Sequence, residues 1–262
     1  MPFIVGGDPR NTPARGVFVI AVAWSMFTGC GARQSTANTA QPGATEPSNT
    51  SDRGDLPPRA KDAEADAAYY RARAAALAKE APEEIERTDF RRLRRGRLYE
   101  RDATDPQAVR SLEERLGEAF GKKDFPGVIE ITAAILANDQ ADIRSHMLRS
   151  VALEELKRAA EADFHRAVAV GLIESIMRTG DGRATASAWT VFRVKEEYEI
   201  LKVLGCIAEG QALMSEGERK FDRLEARRLK GGETAQLYFD ITESFAERTR
   251  NLAERMRNRA GH

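Results

Sequence analysis

The sequence predicts an α+β fold that is mainly helical, in which antiparallel helix pairs precede a small antiparallel β-meander and a C-terminal helix. Apolar residues recur at three- and four-residue spacing from about residue 63 to residue 177, as amphipathic helices require. The helical period stops at residues 179–182, and short alternating segments separated by glycine turns follow between residues 211 and 241. This order divides the chain into residues 1–29, 30–60, 61–180 and 181–262.

The N-terminal segment resembles a bacterial lipoprotein signal peptide. Arg10 and Arg15 precede the apolar stretch 17–27, and Thr28 and Gly29 stand directly before Cys30. The resemblance implies that residues 1–29 are removed and that Cys30 carries acyl chains such as palmitate, which anchor the protein in a membrane. Because glycine rather than aspartate follows the cysteine, the resemblance favours the outer membrane, with the protein facing the periplasm. An ordinary cleaved secretory signal, or a wrongly assigned start followed by an apolar tail, is the alternative.

Residues 31–60 predict a disordered tether that begins at the lipidated Cys30. They are rich in Ser, Thr, Gln, Asn, Gly and Pro, and Leu56 is their only large apolar residue. A flexible chain of this length has a typical reach of about 30 Å. We therefore expect the folded part to stand away from the lipid surface.

The first predicted helix covers residues 63–79, with Ala67, Tyr70, Ala74 and Leu77 on one face. The basic run 89–95 follows and lies close to several glutamates, so a solvated, salt-bridged helix face is favoured over a site for anionic lipid. Four more helices are predicted over residues 109–120, 128–136, 143–151 and 164–176. Their lengths and the turn at residues 121–125 resemble tetratricopeptide helix pairs, over one full unit and part of a second. The resemblance implies either a peptide-binding groove or a plain helical core.

Beyond residue 182 the pattern predicts a sheet. Residues 188–194 suit a strand, and residues 196–204 suit a short helix. Strands are predicted at residues 211–215, 220–228 and 235–241, with turns at residues 216–218 and 230–233. A last helix carries Phe245, Leu252 and Met256.

Several short motifs in this half are similar to a bacterial family known only as domain of unknown function 4919. They occupy residues 171–176, 180–182, 196–198, 210–211, 221–224 and 237–241, and the resemblance covers about residues 89–241. It implies an envelope or secreted protein and transfers neither an activity nor catalytic residues.

Composition excludes several classes of function. The chain has 41 basic and 41 acidic residues, so it lacks the positive field with which proteins hold nucleic acid. The histidines His146, His165 and His262 lack the spacing of zinc ligands, and we predict no metal or other cofactor. Cys206 is predicted to be a small buried apolar side chain. Asp163 and His165 could combine with Ser175 or Ser187, but acid and histidine two residues apart on a helix diverge, and no catalytic residue is predicted.

The remaining polar candidates for a binding site are Asp181, Glu196, Glu197, Tyr198, Asp222, Tyr238 and Asp240. We expect any site to lie where the loop 180–182, the helix carrying residues 196–198 and the strand carrying residues 238–240 converge. In the alternative interpretation, Glu196 or Glu197 pairs with an arginine such as Arg193, and Tyr198 packs in the core.

The leading functional hypothesis is a lipid-anchored envelope protein that acts as a non-catalytic interaction module for another periplasmic protein. A periplasmic hydrolase that uses carboxylates of the C-terminal half is the second hypothesis. The third is a structural protein that binds cell-wall or lipopolysaccharide components. The sequence predicts no particular oligomeric state.

Overall fold

A computed structural model of the chain describes residues 60–100 and 105–260. Cys30, the signal peptide and nearly all of the tether lie outside these residues. The described part is mainly helical and contains a small four-stranded mixed sheet and a C-terminal helix, which confirms the predicted α+β class.

The helices before the sheet are α1 (Ala63–Leu77), α2 (Glu83–Glu86), α3 (Phe90–Tyr99), α4 (Pro106–Gly121), α5 (Phe125–Leu136), α6 (Ile143–Glu155) and α7 (Ala159–Met177). Aspartate side chains define four of their N-termini by accepting a hydrogen bond from a backbone N–H of the first turn. These caps are Asp89, Asp105, Asp124 and Asp142. Connections of three to six residues join α4 to α7 in sequence, so that neighbouring helices run antiparallel.

The sheet consists of β1 (Trp189–Thr190), β2 (Cys206–Glu216), β3 (Arg219–Arg228) and β4 (Thr234–Asp240), in the spatial order β1-β4-β3-β2. Strands β2, β3 and β4 form the predicted antiparallel meander. The predicted strand over residues 188–194 is reduced to the two residues of β1, which pair parallel with β4, so the sheet is mixed rather than purely antiparallel. Helix α8 (Val194–Val203) begins within that predicted strand, and α9 (Thr242–Ala260) follows β4.

One apolar core joins the helices to the sheet. Leu172 and Ile176 of α7 and Ile200 of α8 pack with Leu224 of β3 and Phe239 of β4. A second cluster lies between α4, α5 and α6. Helix α8 therefore sits between the helical region and the sheet, where its side chains can reach both.

The basic run of α3 is salt-bridged, as the sequence predicted, but two of its arginines are not solvated. Arg94 is completely buried, and Arg95 is largely buried between Asp66 of α1 and Glu243 of α9. Arg92 also pairs with Asp66. Through Asp66 and Glu243, the arginines of α3 connect it to α1 and α9.

Candidate functional site

Three consecutive residues of α8, Glu196, Glu197 and Tyr198, face three different surroundings. An α-helix turns by about 100° per residue, so adjacent side chains cannot share one environment. The two acids and the tyrosine therefore contact different neighbours.

Glu196 belongs to a buried ion-pair cluster. It accepts hydrogen bonds from Arg94 Nη2 at 3.1 Å and from the backbone N–H of Phe192 at 3.0 Å, and it also pairs with Arg193. Arg94 donates further to the Thr190 carbonyl and to Ser175 Oγ. Burial alone would raise the pKa of Glu196, but the charges of Arg94 and Arg193 outweigh it and hold this pKa below its usual value. These contacts join α3, α7 and α8, which is a structural role.

Glu197 lies in a different, acidic environment. Its side chain is fully buried, and it adjoins Asp222 of β3. Burial, followed by the charge of Asp222 and a hydrogen bond to it, raises the pKa of Glu197 to about 9. Glu197 is therefore a neutral acid at pH 7. Gln211 Nε2 of β2 donates to Asp222 Oδ2 at 2.9 Å and holds that carboxylate from the other side.

Tyr198 is 38% exposed rather than packed in the core. Its hydroxyl donates to Gln211 Oε1 at 3.3 Å, so it connects the protein surface to the side chain that holds Asp222. Because Gln211 is also exposed, a polar chain runs from the surface to the buried pair of Glu197 and Asp222.

Asp181, Tyr238 and Asp240 lie around β1 and β4, at the other edge of the sheet from β2. Asp181 is exposed and accepts hydrogen bonds from Ser187 Oγ and the Arg183 N–H, which lower its pKa and close the turn. The backbone N–H of Tyr238 donates to the Gly182 carbonyl at 2.8 Å, so the loop and β4 do meet.

Asp240 also has a structural set of partners. Burial would raise its pKa, but hydrogen bonds from Thr242 and Arg219 lower it. Tyr198 is therefore far from Tyr238 and Asp240. It contacts the edge strand β2, whereas β4, which carries those two residues, lies two strands away.

A cavity of about 170 Å³ lies between α4, α6 and α8. Its apolar wall is formed by Leu116, Ile135, Ala141 and Ile143. Its polar wall includes Tyr198 and the charged residues of α8 around it, and neither Glu197 nor Asp222 lines it. In sequence these helices resemble tetratricopeptide pairs, and no local pattern predicts the cavity, because its walls come from segments about 80 residues apart.

The edge of the sheet offers a second surface. Strand β2 is paired along its whole length with β3, from Cys206 to Glu216, and no strand within residues 60–100 and 105–260 pairs with its other side. It has 11 residues and contains no lysine, arginine or proline. Ile207 and Leu213 on this strand are large apolar residues that remain exposed. Lysine and proline commonly protect long edge strands, and this one has neither, although Tyr198 of α8 contacts it at Gln211.

The two histidines of the helical region form a buried network rather than a hydrolytic site. Asp163 points to solvent and pairs with Arg166, away from His165. Arg149 Nε donates to His165 Nε2 at 2.7 Å, so His165 carries its proton on Nδ1 and donates to His146 Nδ1 at 2.9 Å. Burial lowers the pKa of both imidazoles to about 3, with the charge of Arg149 adding to the effect at His165. Both rings are thus neutral at pH 7.

Cys206, at the start of β2, is half-buried against the core, and burial raises the pKa of its thiol. It is therefore a poor nucleophile. Within residues 60–100 and 105–260, no group of three or more His, Cys, Asp or Glu side chains could hold a metal ion. Among the helices in these two ranges, none is long and apolar enough to cross a membrane.

Comparison with known proteins gives one result. The chain matches no curated protein and no solved structure. Residues 64–250 match the family described as "Domain of unknown function (DUF4919)". This match begins before and ends after residues 89–241, over which the short motifs resemble the family. This match covers well over half of the sequence, and the chain belongs to the DUF4919 family.

Proposed function

We propose that the protein is a lipid-anchored component of the bacterial envelope that binds a partner protein through the open edge of β2. We call residues 210–216, the regular part of this strand beyond the irregularity at Ala208 and Gly210, the open edge. The open edge is the single observation that carries the interaction part of the proposal. The anchoring part is supported by the sequence around Cys30.

An unpaired edge strand presents a row of backbone N–H and C=O groups that a second extended chain can join. Natural proteins usually block such edges with lysine, proline, very short strands or covering segments. On β2 the irregularity between Ala208 and Gly210 is one such device and the contact of Tyr198 with Gln211 is another, and seven regular residues lie beyond the irregularity. Leu213 is 55% exposed in the middle of this stretch and offers an apolar contact for the side chains of an added strand.

The charge of the edge selects the partner. Glu216 ends the open edge and Glu218 follows in the turn, whereas residues 210–216 carry no cation, and Glu209, just before them, is already paired with Arg227 of β3. The open edge of a second copy would offer no cation to these glutamates, whereas a basic strand would. We therefore propose that the occupant is an extended segment of another envelope protein that carries lysine or arginine.

Two other functions receive less support. The pair of Glu197 and Asp222 is what a hydrolase would require, but Glu197 is fully buried and neither carboxyl lines the cavity between α4, α6 and α8. The arginines of α3 that could bind lipopolysaccharide phosphate are largely occupied by Asp66, Glu196 and Glu243. We therefore assign both clusters to the stability of the fold.

The anchor and the edge can be tested separately. Membrane fractionation and labelling with radioactive palmitate compare the wild type with Cys30→Ser. We expect label and membrane association only in the wild type. Release of neither protein from the membrane, or equal labelling of both, would refute lipidation at Cys30 without affecting the edge.

The edge is tested with a photoreactive benzoylphenylalanine placed at Leu213 in Gram-negative cells, and at the exposed Leu252 of α9 as the matched control. We expect a protein crosslinked only from Leu213, with the crosslinked peptide being an extended basic segment. A synthetic peptide of that segment should bind the purified wild type and lose at least about tenfold in affinity with Leu213→Lys, because a lysine on the edge repels the basic strand. An equal yield from both positions, an acidic or helical crosslinked peptide, or unchanged affinity would refute the proposal.

A further inference from the structure

The second half of α9 extends beyond the packed body of the protein. In the first half, Phe245 packs against the core and Glu247 is buried. From residue 248 to residue 259 no side chain is buried. Leu252 is 54% exposed and Met256 is 64% exposed, which is the largest value for any large apolar residue in the described part of the chain. This half of the helix is therefore available to a partner outside the fold.

Apolar and cationic side chains share one face of this half. At about 100° of rotation per residue, an arc of about 100° holds two apolar residues and three arginines, namely Leu252, Met256, Arg248, Arg255 and Arg259. All five are exposed, and we call them the basic face of α9. The three arginines lie along one flank of the apolar pair, as in an amphipathic helix with a cationic border.

The acids of the same half lie on the opposite side of the helix. There Glu247 and Glu254 interact with Arg250, at 3.9 and 3.7 Å respectively. The basic face itself contains no acid. Because the whole chain has 41 basic and 41 acidic residues, the positive charge of this face is a local feature.

The arginines of the basic face are not neutralised by the rest of the fold. Arg255 and Arg259 make no ion pair or hydrogen bond within the described part of the chain. The charge of Arg248 acts on the buried Glu197, which keeps its proton at pH 7. The basic face therefore attracts an anionic partner.

An anionic lipid bilayer has both kinds of group that the basic face requires. Its phosphates attract arginines, and its acyl boundary accepts the apolar side chains of a helix that lies in the interface. A membrane is favoured over an acidic protein because the proposed anchor at Cys30 holds the chain within reach of lipid, and a flexible tether permits α9 to approach that surface. The choice of a membrane thus rests on the proposed function, whereas the basic face does not.

We propose that the basic face of α9 binds the surface of a membrane that contains anionic phospholipid. Leu252 and Met256 enter the boundary between headgroups and acyl chains, and the three arginines bind the phosphates. The folded part then rests on the membrane instead of standing away from it at the end of its tether. This contact does not use the open edge of β2.

The test uses the chain from residue 30 onwards with Cys30→Ser, so that neither acyl chains nor the apolar stretch 17–27 contribute to binding. Cosedimentation is measured with vesicles of phosphatidylcholine alone and with vesicles that contain about 30% phosphatidylglycerol. We expect at least about tenfold stronger binding to the anionic vesicles, and weaker binding as the ionic strength rises. Equal binding to both kinds of vesicle, or no binding to the anionic ones, would overturn the proposal.

Charge variants locate the contact on the protein. Replacing both Arg255 and Arg259 by glutamine should lower the affinity for anionic vesicles about 25-fold, at about fivefold for each arginine. The matched control replaces Arg110 and Arg115, two exposed arginines of α4, by glutamine and should bind like the wild type. An equal loss in this control would show a general effect of charge and contradict the assignment to α9.

The apolar pair distinguishes insertion from attraction by charge alone. Leu252→Ser combined with Met256→Ser keeps every charge and should lower the affinity for anionic vesicles at least about tenfold. Far-UV circular dichroism and the urea midpoint verify that each variant is folded. Unchanged binding of this variant would overturn insertion of the helix.

A photoreactive benzoylphenylalanine at Leu252 tests the same contact in cells. We expect it to crosslink lipid, and capture of an acidic protein instead would assign the basic face to that protein and overturn the proposal. Because the vesicle assay uses unacylated protein, its result does not depend on lipidation of Cys30, which the palmitate label tests. Failure of the anchor and failure of the contact through α9 are therefore distinguishable.

Discussion

The buried acid Glu197 makes the stability of the fold depend on pH in an unusual direction. Its pKa is about 9 in the folded protein and 4.5 without the protein environment. The folded state therefore retains a proton that the unfolded state loses, so the contribution of Glu197 to stability is complete below pH 4.5 and decreases as the pH rises towards 9. Replacement of Glu197 by glutamine keeps a group that can donate a hydrogen bond to Asp222 and removes the titration.

The size of the effect follows from the two pKa values. Each pH unit above 4.5 costs the wild type about 1.4 kcal/mol, so at pH 7 the accumulated cost is about 3 kcal/mol. We expect Glu197→Gln to gain this amount over the wild type between pH 4.5 and pH 7, which corresponds to a Tm difference of roughly 6–12 °C for a folded part of this size. Urea unfolding of both proteins at half-unit pH steps from 4.5 to 9 measures the gap directly.

The control is Glu218→Gln in the exposed turn between β2 and β3, which should differ from the wild type by the same small amount at every pH. Asp222→Asn provides a second check. Because the charge of Asp222 is the next largest cause of the shift after burial, its removal should lower the pKa of Glu197 and shorten the pH range over which stability falls. If the difference in free energy of unfolding between the wild type and Glu197→Gln is the same at every pH from 4.5 to 9, Glu197 is ionised in the folded protein and the reasoning is wrong.

Two further predictions concern the helical region. The pKa of both His146 and His165 is about 3 in the fold against a usual 6.5, so their contribution to stability is complete above pH 6.5 and falls as the pH drops towards 3. In the Glu197→Gln background, which removes the opposite slope, the free energy of unfolding in urea should decrease by about 4 kcal/mol from pH 7.5 to pH 5, and an unchanged value would contradict neutral buried imidazoles. Gly96→Ala should destabilise the protein by about 1–3 kcal/mol in the same assay, because its Cβ would lie 2.1 Å from a backbone oxygen of α1. Gly121→Ala, where nothing lies within 4 Å, is the matched control and should not be destabilised.

Local patterns were sufficient to predict most of the secondary structure. The meander of β2, β3 and β4 was predictable because strand alternation and glycine turns act within about ten residues. The segment 188–194 was not, because its Trp, Thr, Val and Phe residues suit a strand, but only Trp189 and Thr190 find a pairing partner. The ladder to β4 ends at Thr190, before α8 begins at Val194, and tertiary pairing decided where this strand stops.

The burial of charged residues was much less predictable, because it depends on partners distant in sequence. Arg94 is neutralised by a glutamate 102 residues later, and nothing near position 94 indicates it. Glu197 did leave a local signal, because it occupies the apolar stripe of α8, one turn before the buried Ile200 and Leu201. An acid in such a stripe must either meet a cation or keep its proton, and here burial and the neighbouring Asp222 of β3 favour the proton. Two adjacent glutamates thus have opposite charge states at pH 7, one ionised and one protonated, because the helix directs one towards α3 and the other towards the sheet.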